Sequence, residues 1–280
     1  MTKTAKTHSL AKADFIDVIE AAATQFGKVL IKQIDKANTS YTGLVIEKIG
    51  VPSPVVNLDR LYADYCNGKT MCWCIDKTKE ILNMTMDIPF APTDMLDWNK
   101  VKDRLFLRLV GNVTDGIYRC IADMYLVPYV SVSEEEGMAA RITPELLEEW
   151  NIDEDELFEL AERNQETLRP VKIESLASRL GLPEAGVKAY IVGTKHDWCG
   201  ASAILYNGVV DKIKEKIGDF YIIPTSIHEV MVIPKSEIPD VKHLKMVVNL
   251  VNETDVDDTE MLTNSIYTYD FTAREIIKIA

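Results

Sequence analysis

The stretch FYIIPTSIHEVMVIP, Phe220–Pro234, decides how the fold is read. Two apolar runs, around Tyr221–Ile223 and Val230–Ile233, flank a polar break holding Thr225, Ser226, His228 and Glu229. Each run is too short for a helix and rich in β-branched residues, so the stretch predicts a hairpin with strands near 220–224 and 229–233. Apolar side chains at consecutive positions imply burial on both faces, which puts the hairpin centrally in the core. The break itself has two readings. His228 followed by Glu229 at a strand end is a pairing that a general base or a metal ligand uses. Alternatively, Thr225 and Ser226 bond the turn's own backbone and His228 caps the sheet end. Ser226 and His228 sit too close in one turn to act as nucleophile and base.

Upstream, KAYIVGT and GASAILY read as strands, joined by TKHDWCG, residues 194–200. Lys195, His196, Asp197 and Cys199 crowd this loop. His196 and Cys199 are a base and a nucleophile by residue type, Gly200 lets backbone approach closely, and Trp198 has a face to stack. The plainer reading is an exposed hairpin loop anchored by Trp198. Downstream, residues 208–217 read as a helix ending at Gly218, and Pro239 opens another with Val241, Leu244, Val248 and Val251 on one face.

The same punctuation organises the rest. Residues 11–26 predict a helix on Phe15 and Ile19, closed by Gly27. Residues 28–50 predict a hairpin turning at Asn38–Ser40, and Pro52 and Pro54 end it. Helices follow from the Asn57 cap and over 71–83. Pro89 and Pro92 mark the best boundary, giving an N-terminal unit over 1–88 and a second over 93–280, unless the two form one continuous domain. In the second, RLFLRLVG and GIYRCIADMYLVPYVSV predict strands, with Pro128 marking an edge or a kink. GMAARIT returns as a short strand. Thr143 with Pro144 and then Asp153 or Asp155 open two short helices, with Leu157, Phe158, Leu160 and Ala161 as the buried stripe. IESLASRLGL predicts a third helix. Hairpins alternating with helices on short connections specify an α+β fold with antiparallel sheets. The order helix–hairpin–helix occurs over 11–67 and again over 208–252, which raises a structural duplication.

Composition narrows the function classes. A net charge of −13 over 280 residues repels a phosphate backbone and argues against general nucleic-acid binding. No apolar run approaches the ~20 residues that cross a bilayer, and Asp14, Asp17 and Glu20 interrupt any signal-peptide core. Five irregularly spaced cysteines fit a reducing cytoplasm rather than a disulfide framework. Cys66, Cys72 and Cys74 lack the spacing of a zinc site, and no phosphate-binding, metalloprotease or hydrolase signature occurs, so no metal and no cofactor is assigned. The excess charge is concentrated: Glu134–Glu162 holds twelve acidic residues against Arg141 alone. Glu154, Asp155, Glu156 and Glu159 are its densest part. They face a basic partner, a protein surface or a nucleic-acid-binding site that they mimic, or they are the solvated side of amphipathic helices.

GASAILYNGVVDKIKEKIGDFYIIPTSIHEVMVIP, with ITPELLEEWNIDEDELFELAERN before it and LTNSIYTYD after it, resembles an uncharacterised bacterial family known only as a domain of unknown function. The likeness extends from about Phe15, through YTGLVIEKIG and PVVNLDRLYADYCNG. It implies one shared fold and an origin in anaerobe genomes or their mobile elements; it carries no activity, cofactor or catalytic residue. The expectation is therefore a non-enzymatic interaction or regulatory protein of the bacterial cytoplasm, encoded by a phage or mobile element, which binds a basic protein surface. The alternative is an enzyme or small-ligand binder with a pocket at His228, Glu229, His196 and Cys199. That alternative requires the 195–199 and 225–229 loops to share one end of a sheet.

Overall fold

The hairpin around His228 lies at the centre of a six-stranded antiparallel sheet. A computed structural model describes residues 10–35, 40–47, 54–84, 90–135, 137–183, 188–257 and 259–280. The fold is α+β, in two compact units, Met1–Pro92 and Thr93–Ala280.

The first unit runs α1 (Lys12–Ala23), β1 (Val29–Asp35), β2 (Ser40–Ile46), β3 (Val55–Asn57), α2 (Leu58–Cys66) and α3 (Met71–Asn83). The strands form an antiparallel sheet in the order β1-β2-β3. Phe15, Ile19 and Ala23 recur every fourth residue, so α1 turns one face to a core with Leu44, Ile46, Leu58, Leu61, Cys74 and Leu82. The side chains of Asn57 and Thr70 accept the N–H groups of Arg60 and Trp73, at 3.0 and 3.1 Å, and so start α2 and α3. Asn38 and Thr39 of the expected turn, with Pro52 and Pro89, lie outside the described residues.

The second unit runs α4 (Trp98–Val101), β4 (Leu105–Val110), β5 (Arg119–Ile121), β6 (Met124–Ser133), β7 (Met138–Arg141), α5 (Pro144–Trp150) and α6 (Glu154–Leu168). It continues through β8 (Val171–Ser175), α7 (Leu176–Arg179), β9 (Tyr190–Thr194), a 3-10 turn (Ala201–Leu205) and α8 (Val209–Ile217). The elements β10 (Phe220–Pro224), β11 (Val230–Pro234), α9 (Val241–Asp255), β12 (Tyr267–Asp270) and β13 (Glu275–Lys278) complete it. One sheet is built on β6, with β4 along one edge and β5 and β7 along the other. The other has the order β13-β12-β10-β11-β9-β8. Phe220, Ile222, Ile223, Val230, Val232 and Ile233 are all buried, as the apolar runs require.

Several local expectations are corrected. The strand holding Pro128 is interior rather than an edge. Leu107, opposite Pro128, gives its N–H to Gln165 Oε1 (3.2 Å) and accepts from Ser202 Oγ (2.8 Å) at its carbonyl. That pair exchanges no ladder bonds, so the missing proline N–H costs nothing toward β4. The expected helix over 173–182 is strand β8 as far as Ser175, because it closes the edge of β9; only one turn of helix follows. GASAILY is the 3-10 turn rather than a strand, because Gly200 and Ala201 donate to the carbonyls of His228 and Ile227 and bend the chain. The β12–β13 hairpin was not expected. The two helix–hairpin–helix segments share an order, but β10–β11 is central in its sheet while β1 is the edge of its own, and a duplication is not shown.

In α9 the inner face is Leu244, Val248 and Asn252; Val251, expected inside, is 43% exposed. Thr143 occupies the cap position of α5 without capping through its side chain; its hydroxyl hydrogen-bonds the Glu145 carboxylate and holds that carboxyl below its usual range.

Candidate functional site

The β9–β11 pairing carries the 195–199 loop and the 225–229 turn to one end of the six-stranded sheet. The turn is tied by its own hydroxyls: Thr225 Oγ1 donates to the Glu229 carbonyl (2.8 Å), and Ser226 Oγ accepts the His228 N–H (3.1 Å). His228 Nδ1 accepts the backbone N–H of Cys199 at 3.0 Å. This leaves the ring proton on Nε2, which lies 3.4 Å from Glu260 Oε1 without a hydrogen bond to it. The His228 carbonyl also accepts from Gly200 N at 2.9 Å. A Cβ on Gly200 would stand 2.6 Å from Thr194 N and 2.8 Å from that carbonyl, so only glycine fits. Asp197 and Cys199 adopt positive φ, 53° and 45°, the left-handed backbone needed to turn the loop back onto His228.

Glu229 belongs to an ionic cluster beside this strap. Arg179 reaches Glu229 (2.9 Å), Asp197 (3.5 Å) and Glu174 (3.8 Å), and Lys172 reaches Glu174 (3.3 Å) and Asp197 (3.4 Å). The Glu174 hydrogen bond, joined by Asp197, raises the Lys172 ammonium above its usual range against the opposing effect of burial. The space among these groups is about 10 Å³, room for about one water. His196 stands apart, with Nε2 3.2 Å from the Leu168 carbonyl. Cys199 is buried, and burial pushes its thiol up despite the pull of Arg108 and Arg169. A protonated, enclosed thiol is not a nucleophile.

Behind the strap lies Arg169, 1% exposed, which no sequence signal marks. Its guanidinium lies 4.4 Å over Phe106 and 4.3 Å over Trp198, and it donates to the Trp198 carbonyl. Its Nε is 3.6 Å from Glu134 Oε2, which is ion-pair rather than hydrogen-bond distance. Burial pulls the guanidinium below its usual range, and Glu134 opposes that pull.

The acidic segment folds into α5 and α6. Asp153 accepts the Glu156 N–H at 2.8 Å and caps α6, and Glu154, Asp155 and Glu156 sit in its positive first turn. Leu157, Phe158, Ala161 and Gln165 face inward. Asp155 pairs with Arg119 at 2.7 Å. Glu154, Glu156 and Glu159 are exposed and have no ion-pair partner among the described residues. Opposite in character is the outer face of α9, where Met246, Val247, Leu250 and Val251 stand exposed.

One side of α6 also lines a cavity of about 430 Å³, with Gln165 buried and Glu162 and Glu166 exposed. Glu162, Gln165 and Glu166 meet Leu107, Ser202, Tyr206, Gly208 and Arg274 there. Burial pushes the Tyr206 phenol up to about 12, so it stays neutral. Sequence reading missed this site because its walls come from segments far apart in the chain. Among the described residues there is no cluster of His, Cys, Asp and Glu able to hold a metal, and no helix long and apolar enough to cross a membrane. All five cysteines are free.

The chain belongs to a family of unknown function, DUF5688, whose pattern matches residues 12–271. No curated protein and no solved structure matches it.

Proposed function

We propose that the protein is a non-enzymatic binding protein whose α5–α6 face, centred on Glu154, Asp155, Glu156 and Glu159, takes a basic surface of a protein partner. One contrast supports this reading. The imidazole of His228 is held in the strap and the thiol of Cys199 is buried, whereas three of those four carboxylates stand in solvent with no ion-pair partner among the described residues. Such a field steers a basic partner and repels nucleic acid. The exposed apolar face of α9 adds a second surface suited to association. Free thiols accord with a reducing bacterial cytoplasm, and we place the gene in a phage or mobile element, to be checked against its genomic neighbours.

The test compares wild type with E154K/D155K/E156K/E159K, both shown to be folded by circular dichroism. A partner retained from host lysate is purified and titrated against each at two salt concentrations. Salt-sensitive binding that the variant loses supports the face; equal affinity for both rejects it. The second reading, a small-ligand or catalytic pocket at His228, Glu229, His196 and Cys199, draws on the two loops sharing one sheet end. The narrow space there weighs against it. A divalent-metal and metabolite screen by thermal shift that an H228A variant abolishes would favour it.

A further inference from the structure

We propose that the cavity beside α6 is a binding site for a small basic amino compound, a molecule with an ammonium or guanidinium group and a carbonyl or carboxylate acceptor. The inference goes beyond the partner-binding reading and does not depend on it. About 430 Å³ lies within the ~300–1,000 Å³ range of small-molecule sites.

The floor supplies a donor. Gln165 is 4% exposed, and its Oε1 is held by the Leu107 N–H at 3.2 Å. Its side-chain NH2 makes no hydrogen bond to another described residue and is reached by solvent, and Gln165 lines the cavity. A ligand acceptor that displaces water there takes a hydrogen bond from this amide. Ser202 Oγ is already spent on the Leu107 carbonyl at 2.8 Å. Helix α8 begins at the same wall, past Gly208, whose α-carbon faces open space. Of its first-turn N–H groups, that of Val209 goes to the Tyr206 carbonyl at 3.1 Å and the next ones remain for an acceptor.

The rim supplies the opposite charge. Glu162 and Glu166 lie one turn apart on α6 and share a face. Glu166 Oε1 accepts from Asn207 N at 3.1 Å, which leaves its second oxygen for a ligand. Three carboxylates line the cavity, with Glu275 the third, against the guanidinium of Arg274, which lies 3.6 Å from Asp211, and that of Arg119, which stands 3.7 Å from Glu162. The lining is therefore net negative around a donor floor. An anionic ligand is repelled at the rim, a simple alkylamine leaves the floor unmatched, and a basic amino acid meets both.

The test is calorimetric titration of the full chain with L-arginine, L-lysine and L-glutamate, alongside E162Q/E166Q and Q165E. E162Q/E166Q changes exposed rim positions and should fold. Q165E keeps an acceptor for the Leu107 N–H but replaces the NH2 donor with an anionic oxygen, which repels the carboxylate end of the ligand. Saturable binding of arginine or lysine, no binding of glutamate, and at least about tenfold weakening in both variants support the site. No binding of either basic amino acid, equal binding of glutamate, or unchanged affinity in E162Q/E166Q overturns it. If Q165E fails to fold, the rim variant and the glutamate arm still decide. The rim residues are not those reversed in the partner test, so the two readings fail separately.

Discussion

The Tyr267 hydroxyl donates to Asp123 Oδ1, binding strand β12 of one sheet to the β5–β6 turn of the other. Lys278 (2.8 Å) and Ser265 (3.0 Å) donate to the second oxygen of the same carboxylate. Residues on both sides of this joint, Ala122 and Tyr269 among them, line the large cavity, so the joint sets the spacing of its walls.

Burial alone would raise the Asp123 carboxyl, but the bonds from Lys278, Tyr267 and Ser265 outweigh it and hold it below the usual range. A carboxyl depressed in the folded state stabilises fully above its unfolded pKa of ~3.9, and that contribution is lost as pH falls through the lower folded value. D123N should therefore cost about 1–3 kcal/mol at pH 7 in urea denaturation. It should also lose less stability than wild type between pH 5 and pH 3, figures set by the ~3.9 reference value. Equal acid sensitivity of the two proteins would refute the role given to Asp123.

Gly200 tests the strap by sterics alone. Its φ of −97° suits any residue, so G200A adds no torsional strain, only a methyl group 2.6 Å from Thr194 N. The obstruction is backbone and cannot swing aside, so we expect a loss of about 3 kcal/mol or more. G208A, at φ 70° with no atom within 4 Å, should cost only about 1 kcal/mol. Similar melting temperatures for the two variants would contradict the packing described.

His228 is expected to act on stability and on thiol access. With an aromatic disulfide reagent, the exposed Cys66, Cys72 and Cys120 should react quickly and the buried Cys74 and Cys199 slowly. H228A removes the acceptor of the Cys199 N–H, should destabilise by about 1–3 kcal/mol, and should move Cys199 into the fast class. Unaltered thiol kinetics would mean that the loop is held by other contacts.

Much of the architecture is legible in local patterns. Phe15, Ile19 and Ala23 mark a helix face by spacing, Asn57 and Asp153 mark helix starts by their capping oxygens, and the two apolar runs around His228 mark central strands. Pro128 misleads because the cost of a missing N–H depends on which way its partner Leu107 points, and α6 and the 3-10 turn decide that. GASAILY misleads because its small and branched residues suit a strand, while its first N–H groups are claimed by carbonyls of the 225–229 turn.

By itself the sequence determined the α+β class, the buried hairpin and the concentration of negative charge on α6, since periodicity, capping and charge are properties of neighbouring residues. Only the tertiary structure decided that His228 latches onto Cys199, that Arg169 is enclosed by Phe106 and Trp198, and that Gln165 and Tyr206 share a cavity with Arg274. These relationships join residues tens of positions apart. They follow from strand order and from which backbone groups remain to be satisfied once the sheets have formed, and no local pattern encodes either.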